Sequence, residues 1–171
     1  GRFKSSLIAC SICPDGWISN YEENKCDLCE TGKYAQNKFT CVSCPRGSYS
    51  FTQGLISSEQ CIGCQIGKYQ SLDGQLTESS CIECSVGQIG VVSSAISNES
   101  CVPCEAGKYR ESIKLCNNCP SGWVSNEKSD TCIVCPVGKI SDIYSLECKN
   151  CIAGLYNDLV GLSSKTDSCK F

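Results

Sequence analysis

Apolar and polar positions alternate along this chain only in short bursts, and the bursts recur. "SYSF" (48–51), "KYQS" (68–71) and "WVSN" (123–126) each read as three or four residues of a half-buried strand. A glycine stands immediately before each burst (Gly47, Gly67, Gly122), and turn chemistry follows in places such as Gln36-Asn37, Asp73-Gly74 and Asn126. A second short strand then runs into a cysteine. The pattern predicts small hairpins, each too short to be stable alone. No 3.6-residue period persists, so no helix is predicted. No apolar run approaches the length of about 18 residues that a membrane-spanning helix needs.

The cysteines set the period of these bursts. C-x-x-C occurs nine times, beginning at Cys10, Cys26, Cys41, Cys61, Cys81, Cys101, Cys116, Cys132 and Cys148, at intervals of 16, 15, 20, 20, 20, 15, 16 and 16. Three residues after every second cysteine comes a glycine: Gly16, Gly32, Gly47, Gly67, Gly87, Gly107, Gly122, Gly138, Gly154. A large apolar residue follows at Trp17, Tyr34, Tyr49, Tyr69, Ile89, Tyr109, Trp123, Ile140 and Tyr156. Such half-polar rings suit positions that cover a disulfide or stack on the next module. "CPDGWISN" at Cys13 returns as "CPSGWVSN" at Cys119, and the three 20-residue modules carry Gly54, Gly74 or Ser94 at one loop position with Ile56, Leu76 or Ile96 two residues on. Residues 1–9 are expected to be the end of a preceding module. Residues 10–100 then hold tandem modules in the order short, short, long, long, long. Residues 101–171 continue short, short, short, long, with the last module incomplete.

Composition explains how such modules hold together. Cysteine supplies 19 of 171 residues, and without it only about 30% of the chain is apolar, too little for a conventional core of this length. Cross-links must replace the missing burial. Methionine is absent, so the chain is expected to be part of a longer product. The net charge is −3, with Lys and Arg scattered among Asp and Glu, and no basic stripe offers a footprint for nucleic acid.

C-x-x-C knuckles also suit zinc. Here there is no histidine, so every site would need four cysteines, and nine knuckles cannot be paired without remainder. Iron–sulfur spacing is absent, and no βαβ setting exists for a thioredoxin-like redox pair. No metal and no cofactor is expected. The spacing favours bonding the second cysteine of each knuckle to the first of the next: Cys13–Cys26, Cys29–Cys41, Cys44–Cys61, Cys64–Cys81, Cys84–Cys101, Cys104–Cys116, Cys119–Cys132, Cys135–Cys148 and Cys151–Cys169. Cys10 is then unpaired within the chain and is expected to bond a module upstream, while Cys169 stands where a further knuckle would begin. A rival scheme, bonding whole knuckles first to first and second to second, stays open at this point.

"CPRGSYSFTQGLISSEQCIGC" and "CQIGKYQSLDGQLTESSCIEC" resemble the ephrin-receptor-like cysteine-rich repeats of large surface proteins, and are similar to the smallest modules of tumour-necrosis-factor receptors. The resemblance implies extracellular one-disulfide modules strung in a rod, and it supports the second-to-first pairing. The Trp modules, Ile89 and Ile140 depart from the Tyr that the repeat carries. The fold class expected is therefore small and disulfide-rich, mostly short β-hairpins and loops, in an elongated rod of about nine tandem modules.

Catalysis has no visible machinery: there is no histidine, and carboxylates such as Glu22, Glu23, Asp27 and Glu30 sit in variable loops as solvated charge. No enzyme is expected. The structural reading is a rod at the cell surface or outside the cell, as a segment of a larger surface protein or a subunit of an extracellular filament. The alternative is a ligand-binding receptor ectodomain. The partners expected are proteins, including copies of the chain end to end or side by side, with "IGVVSSAI" (Ile89 to Ile96) as the apolar loop suited to a lateral contact. Asn98-Glu99-Ser100 is the one N-x-S/T sequon, which makes Asn98 the expected site of an N-linked glycan, and the Ser/Thr-rich loops are expected to carry O-linked ones.

Overall fold

A computed structural model describes residues 2–6, 9–164, 169 and 170, with backbone only for 2–6, 9 and 10. Leu7, Ile8 and the side chain of Cys10 lie outside the described residues, so the expectation of a bond from Cys10 to an upstream module falls there too. The fold is a tandem series of small disulfide-rich hairpins. Nine two-stranded antiparallel sheets follow one another among the described residues, each formed by strands adjacent in sequence.

The fourth module shows how the sequence makes one hairpin. Gly67 turns the chain, Lys68–Tyr69 runs out, and Ile82–Glu83 returns, with Tyr69 opposite Ile82 and Lys68 opposite Glu83. The return strand is thus the pair of residues inside the knuckle, not the stretch before it. The same holds at Cys41–Ser43 and Ile62–Gly63. In the three long modules the approach to the knuckle is a 3-10 turn: Ser58–Gln60, Glu78–Ser80 and Asn98–Ser100. These turns replace the second strand expected there. Two of them follow a residue in extended conformation, Ser57 and Thr77, and neither makes a side-chain capping bond.

Nine disulfides close the hairpins: Cys13–Cys26, Cys29–Cys41, Cys44–Cys61, Cys64–Cys81, Cys84–Cys101, Cys104–Cys116, Cys119–Cys132, Cys135–Cys148 and Cys151–Cys169. Modules are numbered one to nine by these bonds. Ahead of them, Arg2–Ser6 pairs with Ala9–Ile12, with Phe3 opposite Ser11 and Lys4 opposite Cys10, then an irregularity before Ser6 opposite Ala9. Module six has the same register: Tyr109 opposite Asn117, Arg110 opposite Cys116, and Ser112 opposite Leu115. The chain forms two compact units: Gly1–Glu83 with Val92–Ser100, and Cys84–Val91 with Cys101–Phe171.

In the first unit the modules stack through their main chains. The residue three after each turn glycine donates its N–H to the loop of the next module: Ser19 to Lys38 O at 2.8 Å, Ala35 to Leu55 O at 2.8 Å, Ser50 to Gln75 O at 2.9 Å, and Gln70 to Ala95 O at 2.9 Å. Its carbonyl accepts from the glycine one module back, as Ser50 does from Gly32 and Gln70 from Gly47. Ser19, Ala35, Ser50 and Gln70 are all buried. A second link bonds to the preceding module and packs against the one before it. Gly54, Gly74 and Ser94 are all left-handed, with φ of 71°, 67° and 53°. Their N–H groups donate to the carbonyls of Cys29, Cys44 and Cys64, each at 2.8 Å, while their backbones lie over Gly16, Gly32 and Gly47, two modules back.

The second unit repeats both links. Gly107 donates to Ser125 O at 2.9 Å and Gly122 to Ser141 O at 2.8 Å, and Lys128 and Gly161 donate to the carbonyls of Cys104 and Cys135 at 2.9 Å. Side chains add to the column here: Ser125 Oγ donates to Lys108 O at 2.6 Å and Asn157 Nδ2 to Lys139 O at 3.0 Å. Ser19 in the first unit holds the same position with a buried hydroxyl that has no partner. A buried hydroxyl without a bond is a cost, whereas a satisfied one adds about 1 kcal/mol. Ser125→Ala is therefore expected to lower the denaturant midpoint and Ser19→Ala to leave it unchanged or raise it. Equal losses in the two variants would refute the distinction.

The aromatic column needs one correction. Ile18 opposite Asp27 and Val124 opposite Ile133 hold the positions that Tyr34, Tyr49 and Tyr69 hold elsewhere. Trp17 and Trp123 stand one residue earlier, opposite Leu28 and Val134, and so on the other face of their hairpins. Tyr49 clusters with Cys64 and Cys81 and covers the disulfide of the following module, whereas Tyr156 is exposed.

Candidate interaction surface

With the main chain and the disulfides turned inward, the loop tips carry whatever chemistry the modules present. The first two tips are built by Asx turns. Asn20 Oδ1 accepts from the N–H groups of Glu22 and Glu23 at 3.1 and 3.2 Å, and its Nδ2 donates to Asp27 Oδ2 at 2.7 Å. Asn37 Oδ1 accepts from Phe39 N–H at 2.7 Å and Thr40 N–H at 2.9 Å. The two turns place Tyr21 and Phe39 in an offset stack, centroids 6.0 Å apart and planes 16° from parallel. Both rings remain open to solvent, at 66% and 52% exposure.

A second feature recurs along the first unit. Ile56, Leu76 and Ile96 occupy one loop position in modules three, four and five, exposed by 50, 49 and 49%. Ile56 borders a shallow groove of about 300 Å³ with Asp15, Gly16 and residues 35–38. Ile96 borders an equivalent groove of about 510 Å³ with Pro45, Arg46, Ser71, Leu72 and Asp73. Of the apolar loop Ile89 to Ile96, Ala95 is buried and its carbonyl takes the bond from Gln70, while Val92 and Ile96 are exposed. In the second unit an open groove of about 630 Å³ is lined by Asn126, residues 143–147 and Lys149. Tyr144 there is exposed and left-handed, with φ of 66°.

The electrostatics are those of solvated pairs. Lys38 Nζ stands 2.6 Å from Asp15, and its hydrogen bond holds the Asp15 carboxyl below the usual range. Lys108 lies 2.8 Å from Glu105 and lowers it in the same way. The bond from Asn20 lowers Asp27, and Glu23 leads the pairings that raise Lys25. All of these groups are at the surface, where such pairs contribute little to stability. Glu22, Glu23 and Glu30 are exposed and Asp27 half-buried. Among the described residues no group of three or more His, Cys, Asp or Glu could hold a metal ion, and eighteen cysteine sulfurs are committed to disulfides. Asn98 is exposed at the start of the 3-10 turn of module five. No helix among the described residues is long and apolar enough to cross a membrane.

Ile96 was read from the sequence as part of a contact loop, but Ile56 and Leu76 were not joined to it as a surface row, and the stacked rings were not read at all. The signal of the row was present in Gly54-x-Ile56, Gly74-x-Leu76 and Ser94-x-Ile96 of the long modules, but a stack between two tips depends on register across modules. A comparison with protein families finds that residues 52–101 match the family described as tyrosine-protein kinase ephrin type A/B receptor-like. The match runs from the loop of module three to the cysteine that closes module five, the stretch in which the three long modules follow one another. The resemblance to ephrin-receptor-like cysteine-rich repeats holds over that span. No curated protein matches the chain.

Proposed function

We propose, with residues 52–101 taken as ephrin-receptor-like repeats, that this chain is a non-catalytic structural segment of an extracellular or cell-surface protein. It serves as a stretch of a larger surface protein or as a subunit of an extracellular filament, with copies of itself, end to end or side by side, as partners. Nine disulfides support an oxidising compartment. The observation that carries the structural reading is the joint between modules. Each is made by main-chain hydrogen bonds to the adjoining module, joined at several glycines by backbone packing against the module beyond, so the order of the series rests on the main chain more than on the loop side chains. The grooves beside the loops are shallow and open, unlike the enclosed sites that hold small molecules.

The receptor-ectodomain reading has one observation of its own, the exposed Tyr21–Phe39 stack, since aromatic anchors dominate protein-binding surfaces. Negative-stain images of native material distinguish the two readings. Fibres, or stalks without a second protein bound, are the expected result. Discrete complexes with a soluble protein, lost on Tyr21→Ser with Phe39→Ser, would replace the structural reading with the receptor one.

A further inference from the structure

We propose that Asn98 carries an N-linked glycan and that this glycan shields the apolar loop tip beside it. The proposal rests on the extracellular reading above. The three long modules place their 3-10 turns at equivalent positions, and the first residues of those turns are Ser58, Glu78 and Asn98. Only the third belongs to an N-x-S/T sequon, with Glu99 rather than proline in the middle. Asn98 and Glu99 are exposed, and Ser100 N–H closes the turn on Ser97 O at 3.3 Å. The acceptor amide therefore stands on the surface of a turn pinned by the next residue, Cys101, through its bond to Cys84.

The neighbours give the sugar something to cover. Ile96, two residues before Asn98, is half exposed, and Val92 in the same loop is exposed too. Ile96 lines its groove with Leu72, itself largely open to solvent. An apolar tip of this kind invites association, and a bulky hydrated chain attached next to it opposes that. In the modification the Asn98 amide nitrogen attacks the anomeric carbon of a lipid-linked oligosaccharide. An N-glycosidic bond forms, the lipid pyrophosphate leaves, and the amide proton passes to the transferase.

The test uses the whole chain secreted from eukaryotic cells as wild type, Ser100→Ala and Ser100→Thr. Wild type and Ser100→Thr are expected to lose mass on peptide N-glycosidase treatment, with residue 98 recovered as aspartate, while Ser100→Ala shows no loss. Enzymatic release of the glycan is expected to raise binding of a dye that fluoresces on apolar surface. Unchanged dye binding after complete release would overturn the shielding. A secreted, fully oxidised wild type with unmodified Asn98 would overturn the inference and leave the extracellular reading standing. Retention inside the cell with free thiols would overturn both.

Discussion

Reduction in native buffer, without denaturant, is expected to unfold the chain. The fully buried side chains are mainly the second cysteines of the knuckles, Cys13, Cys29, Cys44, Cys64, Cys104, Cys119 and Cys135 among them, and the buried aliphatic side chains among the described residues are Ala35, Leu55 and Ala95 alone. The disulfides close loops with sequence separations of 12 to 18 residues. Each such loop contributes about 3 kcal/mol in the chain-entropy model, before strain and residual structure reduce it. A typical domain has only about 5–15 kcal/mol of net stability in all, so losing several of these bonds exceeds any reserve. Loss of amide protection throughout the chain on reduction, with no response to a chelator, is the expected measurement. Removing one bond, as in Cys64→Ala with Cys81→Ala, is expected to cost about 3 kcal/mol, and to loosen modules three and five as well, because Tyr49 packs on that disulfide and Ser94 bonds to the Cys64 carbonyl. Protection that survives full reduction would refute the account.

Gly32→Ala and Gly138→Ala form the second test, because they separate backbone strain from steric fit. Both glycines are left-handed, with φ of 73° and 77°. A side chain in that conformation costs about 1–2 kcal/mol at either place. At Gly32 an added methyl carbon would also stand 2.6 Å from Gly74 O and 2.7 Å from Leu76 Cδ2, whereas at Gly138 it would meet nothing within 4 Å. Relief at Gly32 requires moving the loop of module four, which strains the bond from Gly74 to the Cys44 carbonyl. Gly32→Ala is expected to lose at least about 2 kcal/mol more than Gly138→Ala, the scale of overpacking a closed site. Denaturant midpoints at fixed slope measure the difference. Equal losses would mean that the two-module contact carries no energy.

The cysteine and glycine frame was legible because both residue types impose local constraints that survive any tertiary context. A cross-link needs its partner at a fixed distance, and a left-handed turn needs a residue that tolerates it. Gly54, Gly74 and Ser94 were visible as one loop position for the same reason. Their seat over the glycine two modules back was not, since nothing local encodes a contact that skips a repeat. The buried column of Ser19, Ala35, Ser50 and Gln70 was hidden by its own chemistry. What is used there is the main chain, so the side chains vary and read as loop. The tryptophans misled because size was weighed ahead of parity: Ile18 and Val124 share the strand parity of the tyrosines, and Trp17 and Trp123 do not.

The disulfide pattern also governs what hydrolysis can do. Between Cys13 and Cys169 every peptide bond lies inside a covalent ring except the three bonds of each knuckle between rings, such as those from Cys41 to Cys44. A nick in a loop leaves both new ends tethered, so the exposed segments that proteases prefer are the ones whose cutting severs nothing. The bonds that do sever the chain lie in the return strands, for example Cys41–Ser43, Ile62–Gly63 and Ile82–Glu83, each paired along one edge to its hairpin partner, so that a protease must compete with that pairing to open them. Lys149 is the one basic residue in that stretch standing between rings, and its strand, Lys149–Asn150, is paired with Lys139–Ile140. Exposed loops and a chain that stays in one piece when they are cut therefore go together here, with the tolerance to cutting vested in covalent topology rather than in the rigidity of the surface.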